Sequence, residues 1–431
     1  MYLVLPYAIM ASVSGRRVIV IGGGAAGLLA SGTAAKFGAR VMLLEKMARP
    51  GRKLRITGKG RCNLTNVSSV SEFLTHYGHN GKFLIPAFKA FFSNDLLNLL
   101  HRAGLPTTVE SDGRIFPSGG DARDVVDCLL GWAESQKVDM KLNAAVSRLI
   151  IEQGRIAGVE TLAGKEANAN AFQADAVIIA AGGKSYPATG STGDGYSLAQ
   201  QAGHTIVPVR PALVPLETKG NIAQRLEGVG LSDICVRLII DGKKKLEDTK
   251  EVMFTSFGLS GPAVLSLSKY AVDALVEGQA VEISIDLKPY LDFPTLDQML
   301  LDEIKNSGKK HYKALLKTLM PARMVTIFSE LTGVAEDTLL HQVTAEQRKS
   351  LRNLLKDLRF EITGHRDFNE AVITAGGVNL REINPTTLES RIIKGLYFAG
   401  EVMDIDADTG GYNLQAAFST GHLAGKSAAT S

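Results

Sequence analysis

Residues 18–27 constrain the fold of this chain more than any other segment. Their sequence, VIVIGGGAAG, is a short β-branched run that ends in a glycine-rich turn, and such a run predicts a buried parallel strand. Gly22, Gly24 and Gly27 match the spacing G-x-G-x-x-G. In that motif the first glycine permits a tight turn, the second lets the backbone approach a pyrophosphate, and the third lets the following helix pack against the strand. The segment therefore predicts a dinucleotide-binding strand, turn and helix.

The residues after this motif continue the same pattern. Residues 25–37 are rich in alanine and leucine and predict the helix, and Gly38 predicts where it ends. The amides of Ala25 and Ala26, at the start of that helix, would face the phosphates. An acidic residue, Glu45, follows the next apolar run, 18 residues after Gly27. At about this offset a carboxylate accepts hydrogen bonds from the adenosine ribose.

A second informative segment lies near the C-terminus. Residues 395–401 predict a strand that ends in Gly-Glu, and residues 409–415, TGGYNLQ, predict a glycine turn that opens a helix. The carboxylate of Glu401 suits the ribityl hydroxyls of FAD. The amides of Asn413 and Leu414 at the helix start would face the pyrimidine edge of a flavin, where the positive helix end favours negative charge. The two segments together predict FAD and redox chemistry.

Two stretches between these segments carry polar residues suited to the same cofactor. Arg52 and Lys53 follow a Pro-Gly turn, and cations beside a pyrophosphate neutralise its charge; the alternative is a solvated basic loop. Residues 58–66 combine glycines with polar side chains that would line the flavin face or hold a substrate anion.

Composition narrows the class of protein. The chain has 431 residues, of which 45% are hydrophobic and 21% charged, as expected for a globular protein of two or three domains. A dispersed net charge of +4 demands no nucleic-acid partner. The cysteines form no C-x-x-C pair and have no metal-ligand spacing, and their scarcity is typical of cytoplasmic proteins.

The sequence shows no sign of a membrane-spanning segment, because no run reaches the roughly 18 apolar residues that such a span needs. Residues 1–14 predict a loose extension, with Met10 as an alternative start, rather than a signal peptide.

The organisation of the chain changes near its middle. Strand and helix patterns alternate from Arg17 to about Thr205, and a proline cluster at positions 208, 211 and 215 marks a domain crossing. Residues 234–240, 245–254 and 280–287 predict antiparallel strands of a small β domain. Residues 295–358 predict several helices, and the chain returns to the first domain near Ala371.

Several long blocks resemble a family of bacterial NAD(P)/FAD-dependent oxidoreductases, which includes aminoacetone-oxidase-like enzymes and NAD(P)H-dependent bile-acid 3-oxo-Δ4-steroid reductases. The resemblance runs over nearly the whole chain from about Arg17. Ser256 stands where this family often has histidine, Lys59 where it usually has glycine, and Ala407 where it often has glycine. The blocks are residues 51–54, 57–66, 183–187, 189–195, 258–262 and the C-terminal segment.

The resemblance implies a three-part protein and extends the set of cofactor contacts. The fold class is α/β: a Rossmann-like FAD-binding domain of the two-dinucleotide-binding flavoprotein type, with an inserted β-barrel-like domain and a helical subdomain. The FAD domain takes residues 15–205 and 361–431, the β-barrel-like domain 206–290 and the helical subdomain 291–360. The predicted cofactor contacts are Gly22, Gly24, Ala25, Ala26, Gly27, Glu45, Lys46, Arg52, Lys53, Arg61, Asn63, Thr65, Val146, Gly182, Gly183, Gly400, Glu401, Gly411, Asn413 and Leu414.

Three functions follow as hypotheses. The first is a cytoplasmic FAD-dependent reductase that takes hydride from NADH or NADPH and reduces a small or steroid-like ketone or enone. Because the sequence has no second G-x-G-x-x-G, NAD(P)H would be a transient donor. The second is an amine oxidase that acts on aminoacetone-like substrates and releases hydrogen peroxide. The third is an RNA- or partner-binding flavoprotein, although basic runs such as 243–245 are better explained as solvated faces. Tyr186, Ser256 and Tyr412 are the candidates for substrate contact or proton transfer.

Overall fold

The computed structural model describes residues 15–162 and 170–431. The predicted extension at residues 1–14 lies outside them. The chain divides into two compact units. The first unit takes the described residues up to Gly183 together with 188–208 and 376–431, and the second takes 184–187 and 209–375. The four predicted domain ranges stay predictions.

Strands occur along the whole described chain and belong to both units. Their bounds are β1 (Arg17–Ile21), β2 (Arg40–Leu44), β3 (Thr65–Asn66), β4 (Thr107–Val109), β5 (Arg114–Pro117), β6 (Asp139–Lys141), β7 (Val146–Glu152), β8 (Arg155–Thr161), β9 (Ala171–Gln173), β10 (Ala176–Ile179), β11 (Ile206–Ala212), β12 (Leu216–Thr218), β13 (Gly230–Leu231), β14 (Cys235–Ile240), β15 (Lys243–Asp248), β16 (Val252–Phe254), β17 (Gly258–Ser260), β18 (Val281–Asp286), β19 (Leu358–His365), β20 (Ile373–Val378) and β21 (Leu396–Phe398).

Helices connect and cover these strands. Their bounds are α1 (Ala25–Lys36), α2 (Val70–Thr75), α3 (Ile85–Ala90), α4 (Ser93–Arg102), α5 (Ala122–Ser135), α6 (Asp194–Gln201), α7 (Ile222–Arg225), α8 (Pro262–Val276), α9 (Phe293–Asn306), α10 (Tyr312–Leu319), α11 (Val325–Thr332), α12 (Ala345–Lys356) and α13 (Tyr412–Thr430).

A parallel sheet forms the centre of the first unit. Its strand order is β21-β10-β1-β2-β6, and every neighbouring pair is parallel. Val20 in the central strand pairs with Ile178 on one side and Leu43 on the other, and all three side chains are fully buried. Helices α1 and α13 pack against each other. Near-continuous apolar strands of this kind are typical of a doubly covered α/β sheet, so the predicted fold class is confirmed.

An antiparallel sheet organises the second unit. Its order is β13-β16-β17-β12-β19-β18-β14-β15. One hydrophobic core joins this sheet to helices α8 to α12 and includes Phe254, Phe328 and Phe360. The predicted strand 245–254 is wrong in one respect, because a break after Asp248 divides it into β15 and β16. The sequence analysis did not predict β19, which lies in the middle of the sheet, or the long helix α8.

A buried cluster of charges ties three elements of the second unit together. Asp286, at the end of β18, accepts from Lys356 Nζ at 2.7 Å and from Arg237 Nη2 at 2.9 Å. The Asp286 side chain is 1% exposed and the Lys356 side chain 8%. Lys356 Nζ also donates to the backbone carbonyls of Lys288 and Leu291. Buried charges persist where their partners satisfy them, and this cluster meets that condition.

Candidate cofactor site

The turn between β1 and α1 is closed on one side and open on the other. Gly22 has a φ of +99°, a conformation that L side chains rarely adopt. A Cβ at Gly27 would lie 1.8 Å from the carbonyl oxygen of Gly22, so only glycine lets α1 pack this close to the turn. A Cβ at Gly24, in contrast, would meet no heavy atom within 4 Å. The open side is where a ligand can approach the backbone.

The start of α1 offers hydrogen-bond donors to such a ligand. Gly24 is the N-cap, no side chain caps it, and the first turn carries no acidic residue. The first N–H groups of a helix, here those of Ala25 and Ala26, have no partner within the helix. Amide donors and a positive helix end suit a pyrophosphate. This cradle therefore fits the pyrophosphate of FAD.

Glu45 lies at the end of β2, beside the same turn. Its Oε2 accepts from the Gly23 amide at 2.7 Å and its Oε1 from the Met47 amide at 2.8 Å. Each carboxylate oxygen keeps acceptor capacity for a further donor, such as a ribose hydroxyl. The backbone carbonyl of Glu45 accepts from the Ala144 amide at 2.9 Å, which brings the chain just before Val146 to this end of the sheet.

Lys46 is engaged within the protein. Its Nζ lies 2.5 Å from Asp194 Oδ2 and 2.5 Å from Thr192 Oγ1. Burial alone would raise the pKa of Asp194, but hydrogen bonds from Lys46 and Thr192 outweigh it and hold the pKa below its ordinary value. Lys46 thus anchors the start of α6, and any contact with a cofactor would add to this role.

Two predicted contacts from distant parts of the chain pair with each other. Lys53 Nζ lies 2.8 Å from Glu401 Oε2, and both side chains are about one-fifth exposed. Arg52, the preceding residue, is exposed. Arg61 Nη2 lies 2.5 Å from Glu110 Oε1, and Arg61 Cζ lies over the Phe116 ring, 4.2 Å from its centroid. The structure therefore brings Lys53 and Glu401 together but gives Arg61 a partner within its own region.

The turn before α13 collects several predicted residues. Gly411 is the N-cap of α13, and a Cβ there would lie 2.5 Å from the Thr65 carbonyl oxygen. With its amide oriented to satisfy both neighbours, Asn63 accepts from the Gly411 amide at 2.9 Å and donates to the Thr65 carbonyl at 3.2 Å. Asn413 accepts from the Ala407 amide at 2.9 Å. The Thr65 hydroxyl is buried against Ser93, so only its backbone borders the turn.

The remaining predicted contacts follow the ends of parallel strands. Gly182 and Gly183 come after β10, and Gly400 comes after β21. A Cβ at Gly400 would lie 2.8 Å from the Cβ of Ala26, which places the end of β21 beside the start of α1. Leu414, in the first turn of α13, is half-buried. In open α/β sheets ligands bind outside the carboxyl ends of the strands, and most of the predicted contacts meet there.

The three candidate catalytic residues lie in different environments. Tyr412 is only 6% exposed, and burial raises its pKa. Tyr186, in the second unit, has a φ of +53°, and its amide donates to the Phe368 carbonyl at 2.8 Å. Ser256 is exposed in the turn between β16 and β17. Their roles in substrate contact or proton transfer stay predictions.

Sequence reasoning missed one polar pair beside the α13 turn. His76 Nδ1 lies 3.0 Å from Asp408 Oδ2, and the His76 ring stacks on Tyr412 with centroids 3.7 Å apart. The two members of the pair are separated by 332 positions, and no motif connects them. Only the return of the C-terminal segment to the first unit brings them together.

Comparison with known proteins identifies the family. Residues 16–427 match the family described as HI0933-like protein Rossmann domain. The chain belongs to the HI0933-like family.

Two characterised proteins are similar to this chain over nearly its whole length. The chain is 32% identical to a 3-dehydro-bile acid delta(4,6)-reductase of Clostridium scindens, over 96% of this chain and 99% of the relative. It is also 32% identical to a ribosomal RNA dihydrouridine synthase of Escherichia coli, over 93% and 95%. A 3-ketosteroid delta1-dehydrogenase of Sterolibacterium denitrificans has a similar fold, with a TM-score of 0.50 at 14% identity over 97% of this chain and all of that one.

The family match and the reductase relative establish the general class of this HI0933-like protein. It is a flavoprotein, an FAD-dependent oxidoreductase. No helix within residues 15–162 and 170–431 is long and apolar enough to cross a membrane. The same residues contain no group of three or more His, Cys, Asp or Glu side chains placed to hold a metal ion.

Proposed function

We propose that this chain reduces a carbon–carbon double bond conjugated to a carbonyl group, with NADH or NADPH as the hydride donor. The observation that carries the proposal is the chemistry shared by the two relatives. One is named for a delta(4,6) reduction of a 3-dehydro-bile acid and the other for making dihydrouridine. An unsaturated 3-oxo steroid and a uracil ring both present a double bond beside a carbonyl. A single type of hydride addition therefore serves both.

The first unit supplies the residues that would hold FAD. The Gly24 turn and the amides of Ala25 and Ala26 would bind the pyrophosphate, and Glu45 would accept from the adenosine ribose. The amides of Asn413 and Leu414 would border the flavin ring, where the positive end of α13 stabilises negative charge. When bound, FAD supplies a two-electron carrier that accepts and passes on a hydride.

The hydride donor would visit the site rather than stay. The sequence has a single G-x-G-x-x-G motif, and in this proposal FAD occupies it. NADH or NADPH would then bind transiently, give up its hydride and leave before the acceptor enters.

A steroid-like enone is the first candidate for the acceptor, because the bile-acid reductase aligns over nearly the full length of both chains. A uracil base in RNA is the second, because of the dihydrouridine synthase and one surface feature. Lys243, Lys244 and Lys245 are consecutive and exposed on β15, and exposed cations of this kind attract phosphates.

Product analysis tests both candidates in one experiment. The FAD-loaded protein is incubated with NADH or NADPH and either a 3-oxo-Δ4 steroid or a uridine-containing transcript, and the acceptor is analysed by mass spectrometry. We expect one acceptor to gain two hydrogen atoms. Replacement of the three lysines by glutamine should weaken RNA reduction and leave steroid reduction unchanged. If neither acceptor changes while an aminoacetone-like amine yields hydrogen peroxide, the proposal is wrong and the oxidase alternative holds.

A further inference from the structure

The His76–Asp408 pair has the arrangement of a positioned proton donor. His76 follows the last residue of α2, and its side chain is 30% exposed. Nδ1 faces Asp408 Oδ2 at 3.0 Å. Because an ionised carboxylate can only accept, Nδ1 carries the hydrogen in this bond. Nε2 has no hydrogen-bond partner within residues 15–162 and 170–431. It is therefore the nitrogen that remains for a ligand.

Packing fixes the direction of the imidazole ring. The ring lies nearly parallel to that of Tyr412, at 17° and 3.7 Å between centroids. Tyr412 is itself fixed, because the Tyr77 hydroxyl donates to its carbonyl at 2.7 Å and Phe73 meets its ring edge-on. On the other side, Asn413 Nδ2 lies 3.2 Å from the Asp408 carbonyl. The pair thus stands on the same α13 turn that the proposed function assigns to the flavin ring.

A second histidine of the first unit, His204, provides a contrast, because both of its ring nitrogens have partners within the protein. His204 Nδ1 faces Glu382 at 3.1 Å, but its Nε2 is occupied by Ser390 Oγ at 2.7 Å. Ser390 in turn accepts from the amides of Ile392 and Ile393. Both ring nitrogens of His204 therefore have internal partners, and His204 is 4% exposed. His76 differs in leaving one nitrogen available and accessible.

We propose that His76, oriented by Asp408, is the general acid of the reduction. This inference rests on the proposed function, which supplies the hydride from NADH or NADPH. The hydride adds to the alkene carbon farther from the carbonyl, and the π electrons move to form an enolate. The proton on Nε2 of the His76 imidazolium then forms the new C–H bond next to the carbonyl. NAD(P)H has become NAD(P)⁺, the acceptor has gained a hydride and a proton, and solvent restores the proton of His76.

The two halves of the reaction separate this role from a structural one. We would measure flavin reduction by the pyridine nucleotide and flavin reoxidation by the acceptor in a stopped-flow instrument, for wild type, His76→Gln and His79→Gln. His79 is an exposed residue three positions along the chain, in the 3-10 helix Gly78–Leu84, and serves as the matched control. His76→Gln should leave reduction unchanged and slow reoxidation about a hundredfold or more. Asp408→Asn should slow the same step less, and His79→Gln should behave as wild type.

A product made in D₂O gives a readout that is independent of rate. The wild-type protein should place deuterium next to the carbonyl on one face of the product, whereas His76→Gln should place it on both faces. If His76→Gln reoxidises at the wild-type rate with deuterium on one face, the role of His76 is refuted and the proposed function stands. If neither acceptor reoxidises the wild-type protein, the proposed function fails and this role fails with it.

Discussion

The proposed cofactor site of the first unit and the charge cluster of the second unit use polar groups in opposite ways. In the proposed site the groups that would face the cofactor include the backbone amides at the starts of α1 and α13, which follow Gly24 and Gly411. In the charge cluster the polar groups are the side-chain charges of Asp286, Lys356 and Arg237, which satisfy one another. The backbone amides at the helix starts stay available to a ligand, whereas the charges of the cluster are already paired with one another. Substitutions in the two regions should therefore affect different properties.

The largest effect is expected in the charge cluster of the second unit. Asp286→Ala leaves the buried Lys356 ammonium without its carboxylate, and removal of one partner of such a pair costs about 3–5 kcal/mol. The free energy of unfolding from denaturant titration measures it. The exposed pair Arg225–Glu330 is the control, since water screens such a pair and Glu330→Gln should therefore cost far less than Asp286→Ala. Equal losses in the two variants would contradict the account of the cluster.

A half-buried histidine of the first unit, His422, should give the next largest effect, and one that depends on pH. Burial, with help from Lys426, lowers the pKa of His422 from 6.5 to about 4. The unfolded chain takes up this proton near pH 6.5, whereas the folded chain resists it, so stability is lost as pH falls from about 6.5 to about 4. The loss amounts to about 2–3 kcal/mol, because the ring is partly exposed.

Unfolding measured near neutral pH and near pH 4 tests this expectation. His422→Gln removes the proton-binding group, so the variant should lose less stability over that interval than the wild type. The same dependence on pH in both proteins would show that His422 does not titrate as its burial requires.

Gly24 should separate cofactor binding from stability. A methyl group there meets no protein atom within 4 Å, but it would occupy the space that the pyrophosphate needs. Gly24→Ala should weaken FAD binding about tenfold or more, or about 1.4 kcal/mol, with the unfolding of the cofactor-free protein unchanged. Gly131, which is equally open in α5, is the control, and Gly131→Ala should bind FAD as wild type. Unchanged FAD affinity in Gly24→Ala would show that this turn does not contact the cofactor.

The smallest effect concerns Cys62, which lies beside the predicted contacts without joining them. Burial raises its pKa to about 12, so the thiol stays protonated and unreactive at neutral pH. A maleimide should label the partly exposed Cys128 first and reach Cys62 only after unfolding, and the labelled protein should keep its FAD. Rapid labelling of Cys62 in the folded protein would contradict this description.

Local signals explain how much the sequence could predict. The strand, turn and helix of residues 17–36 follow from glycine spacing and apolar runs, and the observed α1 differs from the predicted helix by one residue. Helix α5 begins after Asp121, a residue type that favours helix N-caps, and the Asp121 carboxylate accepts from the Arg123 amide at 2.6 Å. In such segments a few neighbouring residues determine the local structure, so the structure can be predicted without knowledge of the overall fold.

Long-range pairings explain what the sequence could not predict. Lys53 and Glu401 are 348 positions apart, and His76 and Asp408 are 332 apart. The sequence could not predict that the members of either pair are in contact, although three of the four residues lie in or beside recognised motifs. Strand β19 was missed because it follows a long helical stretch without a glycine or proline between them. Its partners, β12 and β18, come from much earlier in the chain.

An anaerobic titration tests the central claim most directly. The purified, FAD-loaded protein is mixed with NADH and, separately, with NADPH, and the visible flavin absorbance is followed, with dithionite as the control for complete reduction. If the chain is an NAD(P)H-driven reductase, at least one of the two nucleotides should rapidly bleach its flavin absorbance. If dithionite bleaches the flavin and neither nucleotide does, the chain is not an NAD(P)H-driven reductase, and the search for its electron donor passes to amines.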